Sequence, residues 1–341
     1  SDERVIHFGL IPRSNRGIFV INELPDLQAR IQVALFNILQ ESDIQIRGFK
    51  LRLPLDIQFI FTANPEDYTN RGSIVTPLKD RIDSQILTHY PKSISVSKEI
   101  TKQEALPAQE QKGSVIVHPI LEHLIEQIAF EARQSEYIDS KSGVSARLTI
   151  SSYENLISTA ERRMLLNNEK QTHARILDLY GVIPAITGKV ELVYEGEQEG
   201  PLKVAYVLIG KAIKTVFVQY LPSPETSKKT QNNNPYQTIV NWFGKGNELD
   251  LLRNISDKDF EKTLVKIPGL FELTKKFFPH ENGCSQLILM EFILHGLAEF
   301  SMLSKTRLDT SIQFKDMLSS MFTLTPNKDE DEDLDNHDLY R

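Results

Sequence analysis

Two short apolar runs in the first hundred residues each end in polar side chains. Gly17 to Ile21 is followed by Asn22 and Glu23, and a second run beginning at Ile57 leads to Asn64. Short apolar, β-branched runs bounded by glycine or polar residues are typical of buried parallel strands. Ligands bind α/β folds at the carboxyl ends of such strands. We therefore expect two central strands that present a carboxylate and an amide at one edge of a sheet.

The rest of the hydrophobic pattern is largely helical. Apolar residues with helical spacing predict an amphipathic helix with a buried stripe, formed by Leu27, Ile31, Leu35, Ile38 and Leu39. The same periodicity predicts helices at residues 120–133, from Ser145 to Leu166, at 201–220, and repeatedly after residue 236. Alternating apolar and polar residues on both sides of Gly48 predict a hairpin.

One late helix is apolar except for a narrow polar stripe. Glu291, His295 and Glu299 recur every four residues within the segment 287–303, so they are expected on one line of a buried helix. No apolar run approaches the length of a membrane span, and a helical bundle is the expected setting. His280, Cys284 and His295 lack the paired spacing of a zinc site, so structural roles are expected for them.

Composition narrows the class of protein without identifying it. The 341 residues carry a formal net charge of -7, which argues against a general nucleic-acid binder. The single cysteine excludes a disulfide framework within the chain and fits a reducing, cytoplasmic compartment.

The chemistry at the two strand ends indicates nucleotide hydrolysis. Glu23 closes an apolar strand, where a carboxylate is costly unless it has a partner or a function. Asn64 ends the second run, and Arg71, Lys79 and Arg81 follow it. A carboxylate that orients water, an amide that holds it, and arginines that meet phosphate charge form a set suited to phosphoryl transfer.

Four segments in order make a resemblance specific. They are GLIPRSNRGIFVINELPDL, FTANPEDY, PLKDRIDSQI and GVSARLTISSYENLISTAERR. They resemble the Walker B, sensor 1, arginine-finger and sensor 2 segments of AAA+ ATPases of the magnesium-chelatase subunit I group, relatives of the MoxR-type ATPases. The resemblance is clearest between Gly9 and about Arg163.

The resemblance implies a role for each matching residue. Glu23 would polarise the attacking water and Asn64 would position it, while Arg147 would sense the nucleotide from a helical lid. Arg81 would reach a neighbouring subunit's site, although Arg71 remains an alternative finger. Asn22 and Glu23 would lie at the Mg²⁺ of bound ATP.

The implied assembly is a homo-oligomeric, hexamer-type ring that hydrolyses ATP. The group's activities are magnesium insertion into a porphyrin, or metal loading and remodelling through a partner with a von Willebrand A domain. We favour remodelling, because the resemblance supplies no porphyrin site.

Two departures from the family pattern affect the expected activity. Asn22 stands where the family has an aspartate, which removes a charge near Mg²⁺. No G-x-x-x-x-G-K-[ST] motif occurs in the sequence, and Gly188-Lys189 lacks the upstream glycine and following hydroxyl that this motif needs. We expect a fragment of a longer parent that is inactive alone. The alternative is a non-hydrolysing interaction scaffold or nucleotide-binding switch.

The expected fold class is α/β plus all-α, with the parallel sheet of an AAA+ core followed by helical parts. Its expected boundaries are 1–92 for the core without its phosphate loop, 93–221 for a linker and helical lid, and 222–235 for a second linker. Residues 236–326 are expected to form a helical C-terminal domain, and 327–341 a disordered acidic tail.

Overall fold

The computed structural model describes residues 7–45, 52–64, 74–225 and 234–317. The chain divides into two compact units, residues 1–89 and 90–341. The expected acidic tail at 327–341 and the centre of the expected linker at 222–235 lie outside the described residues. No helix in the described ranges is long and apolar enough to cross a membrane.

The first unit combines short strands with one long helix. Its elements are α1 (Leu10–Arg13), β1 (Gly17–Ile21), α2 (Ala29–Glu41), β2 (Asp43–Gln45), β3 (Arg52–Pro54), β4 (Ile57–Phe61) and α3 (Thr76–Lys79). β2 and β3 pair antiparallel, as the alternating pattern predicted, although the turn between them lies outside the described residues. α2 ends at Ser42, which adopts a left-handed conformation with φ 49°.

β1 and β4 form a parallel pair in register, from Gly17 opposite Ile57 to Ile21 opposite Phe61. The parallel pairing is confirmed, but the expectation that β1 is buried is wrong. Ile18 is 66% exposed and Val20 is 57% exposed. Successive side chains of a strand point to opposite faces, and this pair is covered on one face only. Ile21 and Phe61 on the covered face pack against the small core of the unit.

That core is built around Leu24, Leu35 and Leu78, which lie in the turn after β1, in α2 and in α3. Its polar centre is Gln32, which is 1% exposed. The Gln32 side chain donates to the Leu27 carbonyl and accepts from the Val75 amide, both at 2.9 Å. One buried amide therefore fixes the start of α2 and the entry to α3. Ile31, expected on the buried stripe, is instead 42% exposed.

The second unit is mainly helical. Its long helices are α4 (Ile94–Glu104), α6 (Pro119–Arg133), α7 (Arg147–Leu166), α10 (Pro201–Tyr220) and α14 (Gly283–Glu299). Its shorter helices are α5 (Gln109–Ser114), α8 (Ile183–Thr187), α9 (Tyr194–Glu199), α11 (Gln237–Gly244), α12 (Asp257–Val265) and α13 (Leu270–Phe277). Its strands are β5 (Val115–Ile116), β6 (Thr172–His173), β7 (Leu249–Leu252), β8 (Ser304–Arg307) and β9 (Ser311–Lys315).

Two parts of this unit differ from the sequence-based expectation. Residues 93–113, whose polar composition predicts a linker with partial helical character, contain α4 and the start of α5, and α4 buries Ser97 and Thr101. The Ser97 hydroxyl donates to the buried Glu126 carboxylate at 2.5 Å, so polar pairs replace the apolar stripe that would have marked this helix. The expected all-helical segment 236–326 also contains a three-stranded antiparallel sheet in the order β7-β9-β8.

One hydrophobic core runs through the second unit, from Val115 to Phe314. The segments expected as a lid and as a C-terminal domain both contribute to it, because α10 packs against α6 and also against α14. Phe217 of α10 contacts the rings of Phe292 and Phe300.

Glu291 and His295 of the polar stripe of α14 are buried inside this core, whereas the spacing predicted a polar stripe on an otherwise buried helix. Glu291 is fully buried, and its carboxylate accepts from the backbone amides of Ile176 and Leu177 at 2.7 and 2.9 Å. These amides open a 3-10 helix (Ile176–Val182), where unpaired donors favour an anion. Burial raises the pKa of Glu291 to about 7, although the nearby Arg175 charge and the two amides oppose that shift.

Two buried arginines complete the polar interior next to this carboxylate. Arg163 donates to Asp178 at 2.9 Å and to Asp257 at 3.0 Å. Arg175 also pairs with Asp257, at 2.5 Å, and its guanidinium lies 4.1 Å from the ring centroid of Phe260. Both arginines are about 99% buried, so removing one acid would leave an uncompensated charge.

The raised pKa of Glu291 makes the stability of the second unit depend on pH. The native state holds a proton on this carboxyl that the unfolded state releases above its ordinary value of 4.5. The contribution of Glu291 to the unfolding free energy is therefore fully present below pH 4.5 and is lost as the pH rises through about 7. We expect Glu291→Gln to flatten this decline, which amounts to on the order of 3 kcal/mol in wild type.

The measurement is chemical denaturation across this pH range. Glu272→Gln, at an exposed position of α13, is the matched control and should reproduce the wild-type profile. Equal pH profiles for Glu291→Gln and wild type would contradict the assignment.

Candidate functional site

The carboxyl ends of β1 and β4 lie side by side and remain hydrogen-bonded beyond the strands. The Thr62 amide donates to the Ile21 carbonyl at 3.0 Å, and the Leu24 amide donates to the Thr62 carbonyl at 2.9 Å. The residues between these bonds, Asn22 and Glu23, are thereby held against the end of the neighbouring strand. The structure thus brings together the two polar strand ends that the sequence pattern predicted.

The Thr62 side chain joins the two strand ends directly. Its hydroxyl donates to Asn22 Oδ1 at 2.5 Å and accepts from the Glu23 amide at 2.9 Å. Sequence reasoning missed this residue. The available signal was a hydroxyl at the last position of the second apolar run, two residues before Asn64.

Glu23 adopts a left-handed backbone conformation, with φ 54° and ψ 58°. A side chain with a Cβ atom loses roughly 1–2 kcal/mol there relative to the right-handed region. Thr62 on one side and the fully buried Leu24 on the other hold the chain in this conformation. Strain retained at a polar strand end is a common property of functional sites.

Asn64 follows Thr62 by two residues and is exposed at the same edge. Asn22 is also exposed, and Glu23 is half-buried. The arrangement therefore leaves one carboxylate and two amide side chains accessible at the end of a rigid parallel pair. Arg71, the alternative finger, lies outside the described residues.

Arg81 is positioned by the short helix α3. The buried Leu78 anchors this helix in the small core, and Gln32 fixes the Val75 amide at its start. The Arg81 guanidinium lies 5.4 Å from the ring centroid of Phe36 and 3.5 Å from an Asp80 carboxylate oxygen. It is 41% exposed and, within the described part of the first unit, makes no hydrogen bond or ion pair with Glu23 or Asn64.

Arg147 lies in the second unit, where it is the first residue of α7 and is exposed. The predicted helix start is confirmed, with a difference of one residue at the cap. Ala146 occupies the cap position, while the Ser145 hydroxyl accepts from the Arg147 amide at 3.2 Å. Arg147 thus has the exposure that its expected role needs.

The described residues contain no group of three or more His, Cys, Asp or Glu side chains that could hold a metal ion. Among the described residues at the strand ends, Glu23 alone offers a carboxylate, and Asn22 offers an amide oxygen that already accepts from Thr62. Mg²⁺ is usually held through one or two carboxylates together with substrate phosphates. This donor set fits Mg²⁺ only weakly and only together with a nucleotide.

The left-handed conformation of Glu23 predicts that glycine at this position would stabilise the first unit. Glycine adopts this conformation without a steric cost, so Glu23→Gly should raise the unfolding free energy of the first unit by about 1 kcal/mol. The control is Glu41→Gly at the exposed end of α2, which should lower it because that backbone is helical.

Urea denaturation monitored by circular dichroism measures both variants. A destabilised Glu23→Gly protein would show that the side chain of Glu23, rather than its backbone conformation, stabilises the strand end.

Comparison with known proteins supports AAA+ character in the first unit. Residues 3–85 match the family model described as Sigma-54 interaction domain, which is of the AAA+ class. A crystal structure described as a predicted ATPase from Cytophaga hutchinsonii is 19% identical over 56% of this chain and 64% of its own, with a TM-score of 0.23. This chain therefore spans less than two thirds of that protein, and a TM-score this low carries no argument. No curated protein sequence matches the chain.

The family match supports AAA+ character for residues 3–85, about a quarter of the sequence.

Proposed function

We propose that this chain belongs to a magnesium-chelatase-like, MoxR-type AAA+ ATPase that couples ATP hydrolysis to remodelling or metal loading of a partner protein. The observation that carries the proposal is the shared strand edge. Parallel, in-register β1 and β4 end side by side, so Glu23 and Asn64 follow neighbouring strand ends, and the Thr62 hydroxyl bonds to the Asn22 side chain and to the Glu23 amide. The match of residues 3–85 to an AAA+ family model supports it independently.

Glu23 would act on the attacking water. Its backbone is held on both sides, which fixes the position from which the side chain extends. A half-buried carboxylate at a strand end can accept a proton from water while Asn64 donates or accepts a second hydrogen bond to it. These two side chains would orient the water for in-line attack on the terminal phosphate.

Mg²⁺, when bound with ATP, would neutralise charge on the phosphates. Glu23 and the Asn22 amide oxygen are the residues of this edge that would hold it, directly or through water. Because Asn22 carries no charge and already accepts from Thr62, we expect the metal affinity of the site to come mainly from the nucleotide.

The two arginines would act on the nucleotide from different places. Arg147, exposed at the start of α7, would contact it from the lid as a sensor. Arg81 is exposed and rests on Phe36 rather than on Glu23, which suits a finger that enters the site of a neighbouring subunit. This arrangement implies a ring of identical subunits, and we propose a hexamer-type ring in the cytoplasm with a partner carrying a von Willebrand A domain.

A second candidate is an interaction scaffold or nucleotide switch that does not hydrolyse ATP. The observation that favours it is the hydrogen bond between Asn22 and Thr62. An amide satisfied by a neighbouring hydroxyl needs no metal, so the strand ends would be stable without a nucleotide.

Replacement of Glu23 by glutamine separates the two candidates. We expect Glu23→Gln to lower ATP turnover by roughly a hundredfold or more while nucleotide affinity changes little, because the amide cannot accept the proton from water. Turnover is measured on the natural full-length protein that contains this chain, and affinity is measured by calorimetry on the same sample. Glu41→Gln, at the exposed end of α2, is the matched control and should keep wild-type turnover.

Each alternative result has a defined meaning. Nucleotide binding without turnover in wild type would favour the switch. Turnover that survives in Glu23→Gln would remove Glu23 from the reaction, and absence of any nucleotide binding would overturn the ATPase proposal.

A further inference from the structure

The charged side chain of Arg133, the last residue of α6, lies between aromatic rings in the second unit. Its guanidinium carbon lies 4.3 Å from the ring centroid of Tyr90 and 5.3 Å from that of Phe130. Its Nε donates a long hydrogen bond, 3.5 Å, to the Val144 carbonyl. Burial lowers the pKa of this arginine, and the nearby Tyr90 and Glu126 oppose that shift. Two aromatic rings and one weak acceptor thus lie around a half-buried cation.

The two terminal nitrogens of Arg133, Nη1 and Nη2, are buried and have no hydrogen-bond partner among the described residues. The nearby carboxylates are engaged elsewhere. Asp139 accepts from the Lys141 amide at 2.9 Å and from the Ser142 hydroxyl at 3.3 Å. Glu126 accepts from Ser97. In the part of the chain that the structure describes, this guanidinium has unpaired donors and no ion-pair partner, which is costly, and a group from outside the chain would satisfy it.

The space for such a group is present. Arg133 lines a cavity of about 40 Å³ together with Tyr90, Asp139, Ser140, Gly143 and Val144. The loop that closes it is fixed, because the Val144 amide donates to the Tyr90 hydroxyl at 2.8 Å. Gly143 has φ +69°, and a Cβ atom there would lie 2.4 Å from the same hydroxyl. The close contact between this loop and Tyr90 therefore requires glycine.

We propose that this cavity is a binding site for one small oxyanion, a phosphate or a carboxylate, held by the guanidinium of Arg133. A guanidinium presents parallel N–H donors that match the oxygens of either group. The cavity volume admits a single oxyanion and excludes a nucleoside. A water molecule would satisfy one donor but would leave the buried charge without a counterion.

Occupancy of this site would stabilise the loop at residues 139–144, which leads directly into α7. Arg147 stands three residues after Val144, so an anion bound to Arg133 would fix the start of the helix that carries it. The site belongs entirely to the second unit. It does not depend on the ATPase proposal, and its test requires no nucleotide.

Calorimetric titration of this chain with inorganic phosphate, and separately with acetate, tests the site. We expect saturable binding of at least one of the two, and the stronger one identifies the natural class of anion. Arg133→Met should weaken that binding roughly tenfold or more, and Arg133→Lys should weaken it less, because lysine keeps the charge but loses the paired donors. Arg162→Met, which removes an exposed arginine of α7, should bind as wild type does.

A second readout covers the case in which Arg133→Met does not fold. In the wild-type protein, methyl resonances of Ile138 and Val144, which line the cavity, should shift along a saturable curve during the same titrations. Methyl shifts absent at saturating phosphate and acetate would overturn the proposal and leave water as the occupant. Binding that Arg162→Met weakens as much as Arg133→Met would also overturn it, because it would show general attraction of anions to a basic surface.

Discussion

The parallel pairing of β1 with β4 is the constraint on which the candidate site depends. In-register parallel strands end at the same level, so Asn22 and Glu23 necessarily lie beside Thr62 and Asn64. The Thr62 hydroxyl then bonds to both residues after β1, and these two hydrogen bonds fix the positions of Asn22 and of the Glu23 backbone relative to Thr62. A slip of one residue in this register would reverse the faces of β4 and remove Phe61 from the small core. Packing and site geometry are therefore set by the same pairing.

Most of the secondary structure follows from hydrophobic spacing. The α10 helix begins at Pro201 and ends at Tyr220 as predicted. Its apolar residues recur at helical intervals, and proline is favoured at the first position of a helix. The bounds and the burial of α4 were not predicted, because its buried residues include Ser97 and Thr101, whose polar partners lie far away in sequence. A hydrophobicity pattern does not register burial achieved by polar pairing. The β7-β9-β8 sheet was also missed. Its strands are short, and β7 pairs with β9 across more than fifty residues, although β8 and β9 are neighbours in the sequence.

At the candidate site, the sequence predicted residue identity better than conformation. The ends of two apolar runs identified Glu23 and Asn64 as residues of one edge. The left-handed backbone of Glu23 and the bridging role of Thr62 depend on contacts between strands forty residues apart, which local propensity does not contain. Exposure of Ile18 and Val20 also escaped prediction, because composition indicates that a strand can be buried but not what covers it.

The buried carboxylate of α14 has a consequence for how the second unit could be divided. Glu291 caps backbone amides more than a hundred residues earlier in the chain, and Asp257 satisfies two arginines from that earlier segment. A protein shortened to end before α12 would keep Arg147 and its helix. It would leave the amides of Ile176 and Leu177 unpaired and Arg175 without a carboxylate partner, while Arg163 would keep only Asp178. The C-terminal segment thus supplies internal partners to earlier residues of the second unit, so its surface could be exchanged but the segment could not be deleted. Evolutionary variation in this unit is expected to accumulate on its outer faces while its length is retained.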